Sequence, residues 1–441
     1  MIIQFPEIIL TFREGKGYYP IYVKRCKPYV SPPCRAVALY PIVLESASDE
    51  LRNKAMEICN DIARVLRDTY DLHVIVRKRD EPIIVDDKDL HSVIEKLIDI
   101  KSSCLKEEKQ WNRSPVMLVF GRRTPRWYKM SPYYALKIVC RDYIVSQYIT
   151  ENALSSYRMS IENIALAIFT KLGGVPWIPS MQPRSDIVIG IATTMVRIYE
   201  KSLPIDSRYI GAFSIYRYTT YPVFKDFMSI VFENKEEFRE RFGKLLYESL
   251  TSLAQEFMRE EREKITVSIH YSGKRPSKSE VETIKGVLDV LPIQAYYTVV
   301  TVRDDTIYRA FSPIYDYYPP KSCLIKLSNI EGILTTGGAI IIDDKKYYHP
   351  VGMPRCLKVD IVDTNINEER VLYEVAKDIL VLTRLHWHTM STRIREPIST
   401  RYTRRLAFLV ASLQYLSAKI VERWKELQVP KVMRSSRLWF I

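Results

Sequence analysis

Three side chains that can bind an anion follow an apolar run ending at Phe120. Tyr133 and Lys137 are four residues apart, a spacing that places them on one face of a helix, and Gln147 follows ten residues later. An ammonium group can neutralise an anion, while hydroxyl and amide groups donate hydrogen bonds without adding charge. Taken alone, such a pair is typical of an ordinary helix surface, so its meaning depends on the elements around it.

The region before this group alternates between strand and helix. Three apolar strands and two amphipathic helices are predicted in the order 36–44, 51–66, 73–76, 90–100 and 116–120. This βαβ order predicts a parallel sheet covered by helices, with ligands at the carboxyl ends of its strands.

After Trp177 the predicted strands become longer. They cover 187–194, 213–219, 265–271, 296–302, 340–347 and 357–362. Amphipathic helices interrupt them at about 235–259, 278–290, 367–383 and 401–426. A mixed sheet followed by late helices is typical of an RNase H-like domain.

The chain of 441 residues is too long for a single core. Residues 1–34 end in a proline-rich stretch that excludes a continuous helix or a central strand there. We therefore expect an N-terminal extension (1–34), a first α/β domain (35–180) and a second domain (181–441).

The charge balance favours an anionic partner. Lys and Arg outnumber Asp and Glu by 66 to 52, a formal net charge of +14, so nucleic acid is the first candidate and a membrane surface the second. A thermophile surface rich in Lys and Arg is the alternative explanation. The sequence has no apolar run long enough to span a membrane and no signal-peptide pattern at its start, so we expect a cytoplasmic protein.

A glycine-rich motif lies between the two predicted domains. Residues 171–177 read Lys-Leu-Gly-Gly-Val-Pro-Trp, and the apolar strand 186–192 follows about ten residues later. This Lys-x-Gly-Gly-x-Pro-Trp pattern resembles the junction between the MID and PIWI domains of Argonaute proteins. The resemblance extends over about 35–441 and implies an α/β protein with a Rossmann-like MID domain followed by an RNase H-like PIWI domain. Residues 1–34 leave no room for the N and PAZ domains of longer members, so the chain resembles the short prokaryotic, archaeal kind.

The resemblance also gives the donor group a ligand. Five residues match the positions by which MID domains hold the 5′-phosphate of a guide strand: Tyr133, Lys137, Gln147, Asn163 and Lys171. A terminal phosphate carries close to two charges, which two ammonium groups can neutralise. We therefore expect the pocket to select a 5′-phosphorylated end over a hydroxyl end.

The last residues of the sequence, Leu438-Trp439-Phe440-Ile441, are apolar and aromatic, whereas chain ends are normally solvated. In Argonautes the terminal carboxylate helps to hold a divalent cation on the first guide phosphates. The resemblance therefore assigns a metal-bridging role to Ile441, with Mg²⁺ as the expected ion because the ligands are oxygens. A tail that only docks its apolar side chains is the alternative.

The same resemblance identifies positions for cleavage chemistry. Two-metal cleavage of a phosphodiester needs several carboxylates that converge on the two ions. The three positions from which Argonaute nucleases take these carboxylates carry Ala192, Ser272 and Arg404 in this chain. We therefore predict that the protein is not an enzyme, since all three catalytic carboxylates are replaced and Arg404 puts positive charge where the ions would bind.

Two further uses of this surface stay open. Four acids near strand ends could rebuild a nuclease site: Asp343, Asp344, Asp360 and Asp363. Alternatively, a basic surface could hold backbone phosphates, with Lys274, Arg275, Arg401 and Arg404 as the main contacts and Arg393, Arg395 and Arg405 beside them.

Together these features predict an inactive Argonaute that recognises nucleic acid complementary to its guide. The family favours a guide RNA and a complementary single-stranded DNA target, and no residue of this chain decides between RNA and DNA. It also implies a companion protein that supplies an N-terminal (APAZ-like) lobe, a separate effector protein and a role as the sensor of a prokaryotic defence system. The rival functions are an active guide-directed nuclease and a structural scaffold with a vestigial pocket.

Overall fold

A computed structural model describes most of the chain: residues 1–77, 81–125, 128–141, 143–200, 203–218, 222–313, 317–342, 345–347, 355–366, 369–391, 396–420 and 423–441. Four residues named above lie outside this part: Asp343, Asp344, Arg393 and Arg395.

The first half of the chain contains eight strands and six helices within the described residues. They are β1 (Ile2–Gln4), β2 (Leu10–Phe12), β3 (Gly15–Gly17), α1 (Val23–Cys26), β4 (Ala36–Leu44), α2 (Asp49–Tyr70), β5 (His73–Val76), β6 (Ile83–Val85), α3 (Leu90–Lys109), β7 (Ser114–Phe120), α4 (Pro132–Cys140), β8 (Val145–Ile149), α5 (Asn152–Ser155) and α6 (Tyr157–Lys171). Strands β5, β4, β7 and β8 are parallel neighbours, and β6 pairs with the end of β4. Helix α2 packs against α6, and α3 against α4. The predicted parallel sheet with covering helices is confirmed.

The first long helix shows why the pattern was readable from the sequence. The Ser48 hydroxyl accepts a hydrogen bond from the amide of Leu51 at the start of α2, and Asp49 and Glu50 lie in the first turn, where the helix dipole favours negative charge. The apolar residues recurring between Leu51 and Leu66 are fully buried. Capping and periodicity therefore indicate the same element.

The second half is built on one large sheet. Its elements are β9 (Ile178–Pro179), β10 (Ile187–Glu200), β11 (Leu203–Tyr218), β12 (Pro222–Phe232), α7 (Lys235–Arg259), β13 (Lys264–Ser272), α8 (Lys278–Asp289), β14 (Gln294–Arg303), β15 (Cys323–Lys326), β16 (Glu331–Thr335), β17 (Ile340–Ile342), β18 (Lys345–Tyr347), β19 (Leu357–Thr364), α9 (Val371–Leu382), α10 (Ile398–Ile420) and β20 (Val432–Ser435). Ten strands follow the order β1-β15-β16-β19-β14-β13-β10-β11-β12-β20. The parallel neighbours in this order are β10 with β13 and β13 with β14, and the other neighbouring pairs are antiparallel. This is the mixed sheet that the sequence predicted.

Residues 1–34, which we expected to be an N-terminal extension, contribute strands that pair with the second half of the chain. Strand β1 forms one edge of the ten-stranded sheet, and β2 pairs with β9. The Glu7 carboxylate forms ion pairs with Lys321, at 2.5 Å, and with Arg384. The prolines at 28, 32 and 33 exclude regular structure only locally, so the short extended pieces before them remain free to pair.

Helix α10 crosses the large sheet at Gly190. A Cβ atom at this position would lie 1.8 Å from the carbonyl oxygen of Ser399, so only glycine allows this approach. The apolar stripe from Leu406 to Ile420 is buried, and α10 also contacts α4 of the first domain. Within the described residues, no helix combines the length and the apolar character needed to cross a membrane.

We expect Gly190→Ala to lower the free energy of unfolding by about 1 to 3 kcal/mol, because the added methyl group meets backbone that must move. The control is Gly286→Ala in α8, where a Cβ atom has nothing within 4 Å, and which should stabilise by about 0.5 to 1 kcal/mol. Urea unfolding of both variants measures the difference. Equal stability of the two variants would contradict the close contact.

Candidate nucleic-acid interface

Two lysines from different helices meet at the carboxyl-terminal side of the first domain. Lys137 lies on α4, which begins after Ser131 with Pro132 in its first turn, and Lys171 ends α6. The Lys171 ammonium group donates hydrogen bonds to the Gln147 side-chain oxygen at 2.8 Å and to the Ser146 carbonyl oxygen at 2.9 Å. The structure therefore brings Lys137, Gln147 and Lys171 together, as the sequence predicted.

Both ammonium groups are buried without a counter-charge. Lys137 is 3% exposed and Lys171 is 2% exposed, and neither has a carboxylate oxygen within 4 Å in the described part of the chain. Burial lowers the pKa of Lys137 to about 8. Burial, together with the charge of Lys137, lowers the pKa of Lys171 further below its usual value. Two adjacent buried cations with no carboxylate within 4 Å in the described residues are a candidate site for an anion.

The C-terminal segment closes one side of this pocket. The Lys137 ammonium group donates to the Trp439 carbonyl oxygen at 2.9 Å. Leu438, Trp439 and Phe440 are buried, and the Phe440 ring contacts Phe227 at a centroid distance of 4.8 Å. Ile441 packs partly buried against the same core. The apolar residues of the segment thus dock as expected, and they place Ile441 two residues from a direct contact with the pocket.

Tyr133 and Asn163, the other two predicted phosphate contacts, lie on the same helices as the lysines. The Tyr133 ring lies 6.0 Å from the Lys137 ammonium group and packs edge-on against Tyr148. The Asn163 side-chain oxygen accepts a hydrogen bond of 2.7 Å from the amide of Met390, so this residue joins α6 to the second domain. Tyr133 therefore borders the pocket, while the observed contact of Asn163 is structural.

Helix α10 adds charge that the sequence analysis assigned to a different surface. The Arg405 charge contributes to the lowered pKa of both lysines, so Arg405 lies within electrostatic reach of the pocket. Arg401 is one helical turn away, and its Nε atom is buried without a hydrogen-bond partner in the described residues. The only sequence signal for this placement is the four-residue spacing of the two arginines on α10.

Two buried histidines near these arginines were not found from the sequence. The Nδ1 atom of His388 lies 3.1 Å from the Tyr402 hydroxyl, and the His386 ring contacts the rings of both residues. Burial lowers the pKa of both histidines, and the charges of Arg401 and Arg405 lower it further. The rings are therefore neutral at physiological pH. They lie in a loop without periodicity, where only the folded chain places them beside α10.

Two of the three positions named for cleavage lie on adjacent strands, and the third lies on α10, which packs against β10. Ala192 is buried on β10, and the register that pairs Ile191 with Tyr271 makes Ser272 its neighbour on β13. Arg404 on α10 pairs with two carboxylates: its guanidinium meets Asp304 at 3.2 and 3.4 Å and Glu396 at 2.5 Å.

These ion pairs occupy the acids nearest to that position. Burial acts to raise the pKa of Asp304, but the hydrogen bonds and the charge of Arg404, together with hydrogen bonds to Glu396 and the backbone, outweigh burial, so the pKa is lowered. Burial raises the pKa of Glu396. Within the described residues, no group of three or more His, Cys, Asp or Glu side chains could hold a metal ion.

The remaining predicted backbone contacts lie on a turn after β13. Lys274 and Arg275 are exposed, and in the part of the chain that the structure describes neither has a carboxylate within 4 Å. Two of the acids named for a rebuilt site have other partners, since Asp360 pairs with Arg303 and Lys358, and Asp363 with Lys285.

Comparison with known proteins agrees with this architecture. No protein-family model matches the chain. A Piwi protein from Archaeoglobus fulgidus is 23% identical over 303 residues, which cover 65% of this chain and 67% of that protein. Among solved structures, the chain aligns over its full length with Clostridium butyricum Argonaute bound to a guide DNA and a target DNA, with a TM-score of 0.67 and 16% identity. It also aligns over its full length with Drosophila Piwi, with a TM-score of 0.64 and 14% identity.

The fold is therefore that of the MID and PIWI domains of Argonaute proteins, as predicted. The chain is a homologue of the archaeal Piwi protein. It spans 55% of the length of the Clostridium butyricum protein and 56% of Drosophila Piwi.

The buried lysines predict a specific pH dependence of stability without a guide. Lys137 has a pKa near 8 when folded and near 10.4 when unfolded, so the unfolded chain binds more protons between these values and the free energy of unfolding rises with pH there. We expect the unfolding free energy of the wild type, relative to Lys137→Met, to increase from pH 8 to pH 10. Buried thiols have raised pKa values and therefore make the free energy of unfolding fall with pH. Because both proteins contain these thiols, their effect cancels in the difference between wild type and variant. A difference that does not change with pH would refute the assignment.

Proposed function

We propose that this protein binds a short guide strand by its 5′-phosphate and uses the guide to recognise a complementary strand. The observation that carries the proposal is the pair of buried ammonium groups, Lys137 and Lys171, for which the described residues supply no carboxylate within 4 Å. A phosphate dianion would neutralise both charges. The charge of such a phosphate therefore matches the two lysines.

The other residues of the pocket would orient the phosphate. Tyr133 and Gln147 offer a hydroxyl and an amide donor beside the two lysines, and Arg405 adds positive charge from α10. Asn163 remains a proposed guide contact through the α6 surface that it shares with Lys171. Since Gln147 is already bonded to Lys171 through its oxygen, its NH₂ group stays available as a donor.

A Mg²⁺ ion on the first guide phosphates is part of the proposal. The cations of the pocket would repel a metal ion in the absence of phosphate, so the ion would bind only with the guide. The carboxylate at Ile441 would be its protein ligand, held near the pocket by the buried residues before it. The metal would link the guide backbone to the end of the chain.

Recognition without cleavage is the second part of the proposal. Ala192 and Ser272 supply no carboxylate, and Arg404 sits between Asp304 and Glu396 where a metal ion would have to compete with its positive charge. Specificity would come from pairing between guide and target, while Lys274, Arg275 and Arg401 follow the backbone. Arg404 would contribute only after leaving its carboxylates.

The wider setting is a cytoplasmic defence system. An RNA guide with a single-stranded DNA target is the favoured combination. A companion protein with an APAZ-like lobe would complete the guide-binding channel, and a separate effector protein would act after target recognition.

Lys137→Ala or Lys171→Ala should weaken binding of a 5′-phosphorylated guide by about 1 to 3 kcal/mol, because each removes a charge-assisted contact to the phosphate. A guide with a 5′-hydroxyl should bind both variants as it binds the wild type. Lys106→Ala, which removes an exposed lysine of α3, is the matched control. Filter binding or fluorescence anisotropy measures all pairs.

If the variants lose the same affinity for 5′-phosphorylated and 5′-hydroxyl guides, the lysines do not bind the phosphate and this part of the proposal is wrong. A wild type with no preference between the two ends would favour a scaffold with a vestigial pocket.

We expect no guide-dependent cleavage when the protein is incubated with a phosphorylated guide, a labelled complementary strand and Mn²⁺. Gel electrophoresis of the labelled strand is the measurement. Cleavage that depends on the guide and disappears in Asp304→Ala or Glu396→Ala would instead establish the rival function, a nuclease with a rebuilt acid site.

A further inference from the structure

The loop after β14 exposes apolar and aromatic side chains. Ile307 is 89% exposed, the highest value for any large apolar side chain in the described residues, while Phe311 is 61% and Tyr308 is 43% exposed. These three residues lie within five positions of each other. Such an exposed group is unfavourable in water and usually marks a binding surface.

The loop is fixed to the PIWI domain at two points. Asp304, directly after β14, pairs with Arg404 on α10 through both carboxylate oxygens. Ala310 is buried and packs with Ile333 and Cys356. The rings at 308 and 311 therefore flank a buried anchor and project from a defined framework.

A cationic residue, Arg309, lies between the two aromatic residues in the sequence. The Arg309 guanidinium donates to the carbonyl oxygens of Thr306 at 3.2 Å and Tyr308 at 2.9 Å, so it is held by the backbone of its own loop. Aromatic faces interleaved with a cation suit nucleobases, whose rings stack and whose phosphates need positive charge.

The loop also lies beside the turn that carries Lys274 and Arg275. Strands β13 and β14 are parallel, Ser272 pairs with Val302, and the Gly273 amide donates to the Val302 carbonyl oxygen at 3.1 Å. The turn and the loop therefore leave the sheet side by side at its carboxyl edge. A strand held by the cations of the turn would pass next to the exposed rings.

We propose that Tyr308 and Phe311 form a stacking surface for unpaired bases of the target strand that flank the segment paired with the guide. This inference rests on the proposed function and adds a base-stacking contact that depends on single-strandedness and not on sequence.

The test compares three target strands on the full chain loaded with a 5′-phosphorylated guide. The first strand ends with the segment that pairs with the guide. The second has a single-stranded flank added to that segment, and the 5′ and 3′ sides are tested separately. The third has the same flank made of abasic sugar-phosphate. We expect the flank with bases to tighten binding of the wild type, and the abasic flank to lack this gain. In the Tyr308→Ala/Phe311→Ala variant the gain should fall by about tenfold or more.

Val290→Ala is the matched control, because Val290 is 62% exposed in the connection between α8 and β14, at the opposite end of β14 from the loop. It should retain the full gain. Binding of single-stranded DNA and of its abasic counterpart is also measured without a guide. If the chain does not load a guide, the proposed function fails, but this comparison still tests the stacking surface.

The inference is overturned if bases in the flank give no advantage over abasic flanks in the wild type, or if the double variant retains that advantage. Sedimentation of both proteins adds a further outcome. Loss of self-association in the double variant with unchanged flank dependence would show that the rings bind a second copy of the chain and not nucleic acid.

Discussion

The architecture of the candidate site depends on two buried ammonium groups for which the described residues supply no carboxylate within 4 Å. Charged side chains in a protein interior are normally paired with an opposite charge, because removal from water is costly. Here Lys137 and Lys171 donate hydrogen bonds to carbonyl and amide oxygens. The lowered pKa of Lys137, from 10.5 to about 8, corresponds to an unfavourable free energy of about 3 kcal/mol for its charged form. An anion that binds between the lysines would recover this energy.

This arrangement also explains why the pocket requires both domains. The MID domain supplies the two lysines, but the carbonyl that accepts from Lys137 belongs to Trp439, and Trp439 is fixed by the docking of Phe440 against Phe227 of the large sheet. Helix α10 brings Arg405 to the same place. A MID domain alone would therefore lack the positive charge of Arg405 and the side of the pocket that Trp439 forms.

The surface around Arg404 has the opposite electrostatic arrangement. There the buried carboxylate Glu396 and its neighbour Asp304 are compensated by a cation of the chain itself. Compensated acids have little tendency to gather further cations, whereas the uncompensated lysines of the MID domain attract an anion. The two sites therefore differ in their electrostatics: the charges around Arg404 are paired with each other, whereas the described residues leave the two lysines without a carboxylate within 4 Å.

Local patterns determined a large part of this protein. Helical periodicity and the Ser48 cap identified α2, and the βαβ order identified the parallel sheet. These signals depend on residues close in sequence, whose geometry follows from the helix or strand period. The phosphate contacts were predicted differently, from the family resemblance of the motif at Lys171 and of Tyr133, Lys137 and Gln147, and the structure places Lys171 against Gln147.

Only the tertiary structure decided the contacts between distant segments. The position of β1 at the edge of the large sheet, the ion pairs of Arg404 and the burial of His386 beside α10 all join residues far apart in the chain. Such pairings depend on how complete elements pack, because many registers and partners are compatible with the same local pattern. The sequence by itself therefore determined which donors are present, and the folded chain decided that two of them lie buried and side by side, with no carboxylate within 4 Å in the part of the chain that the structure describes.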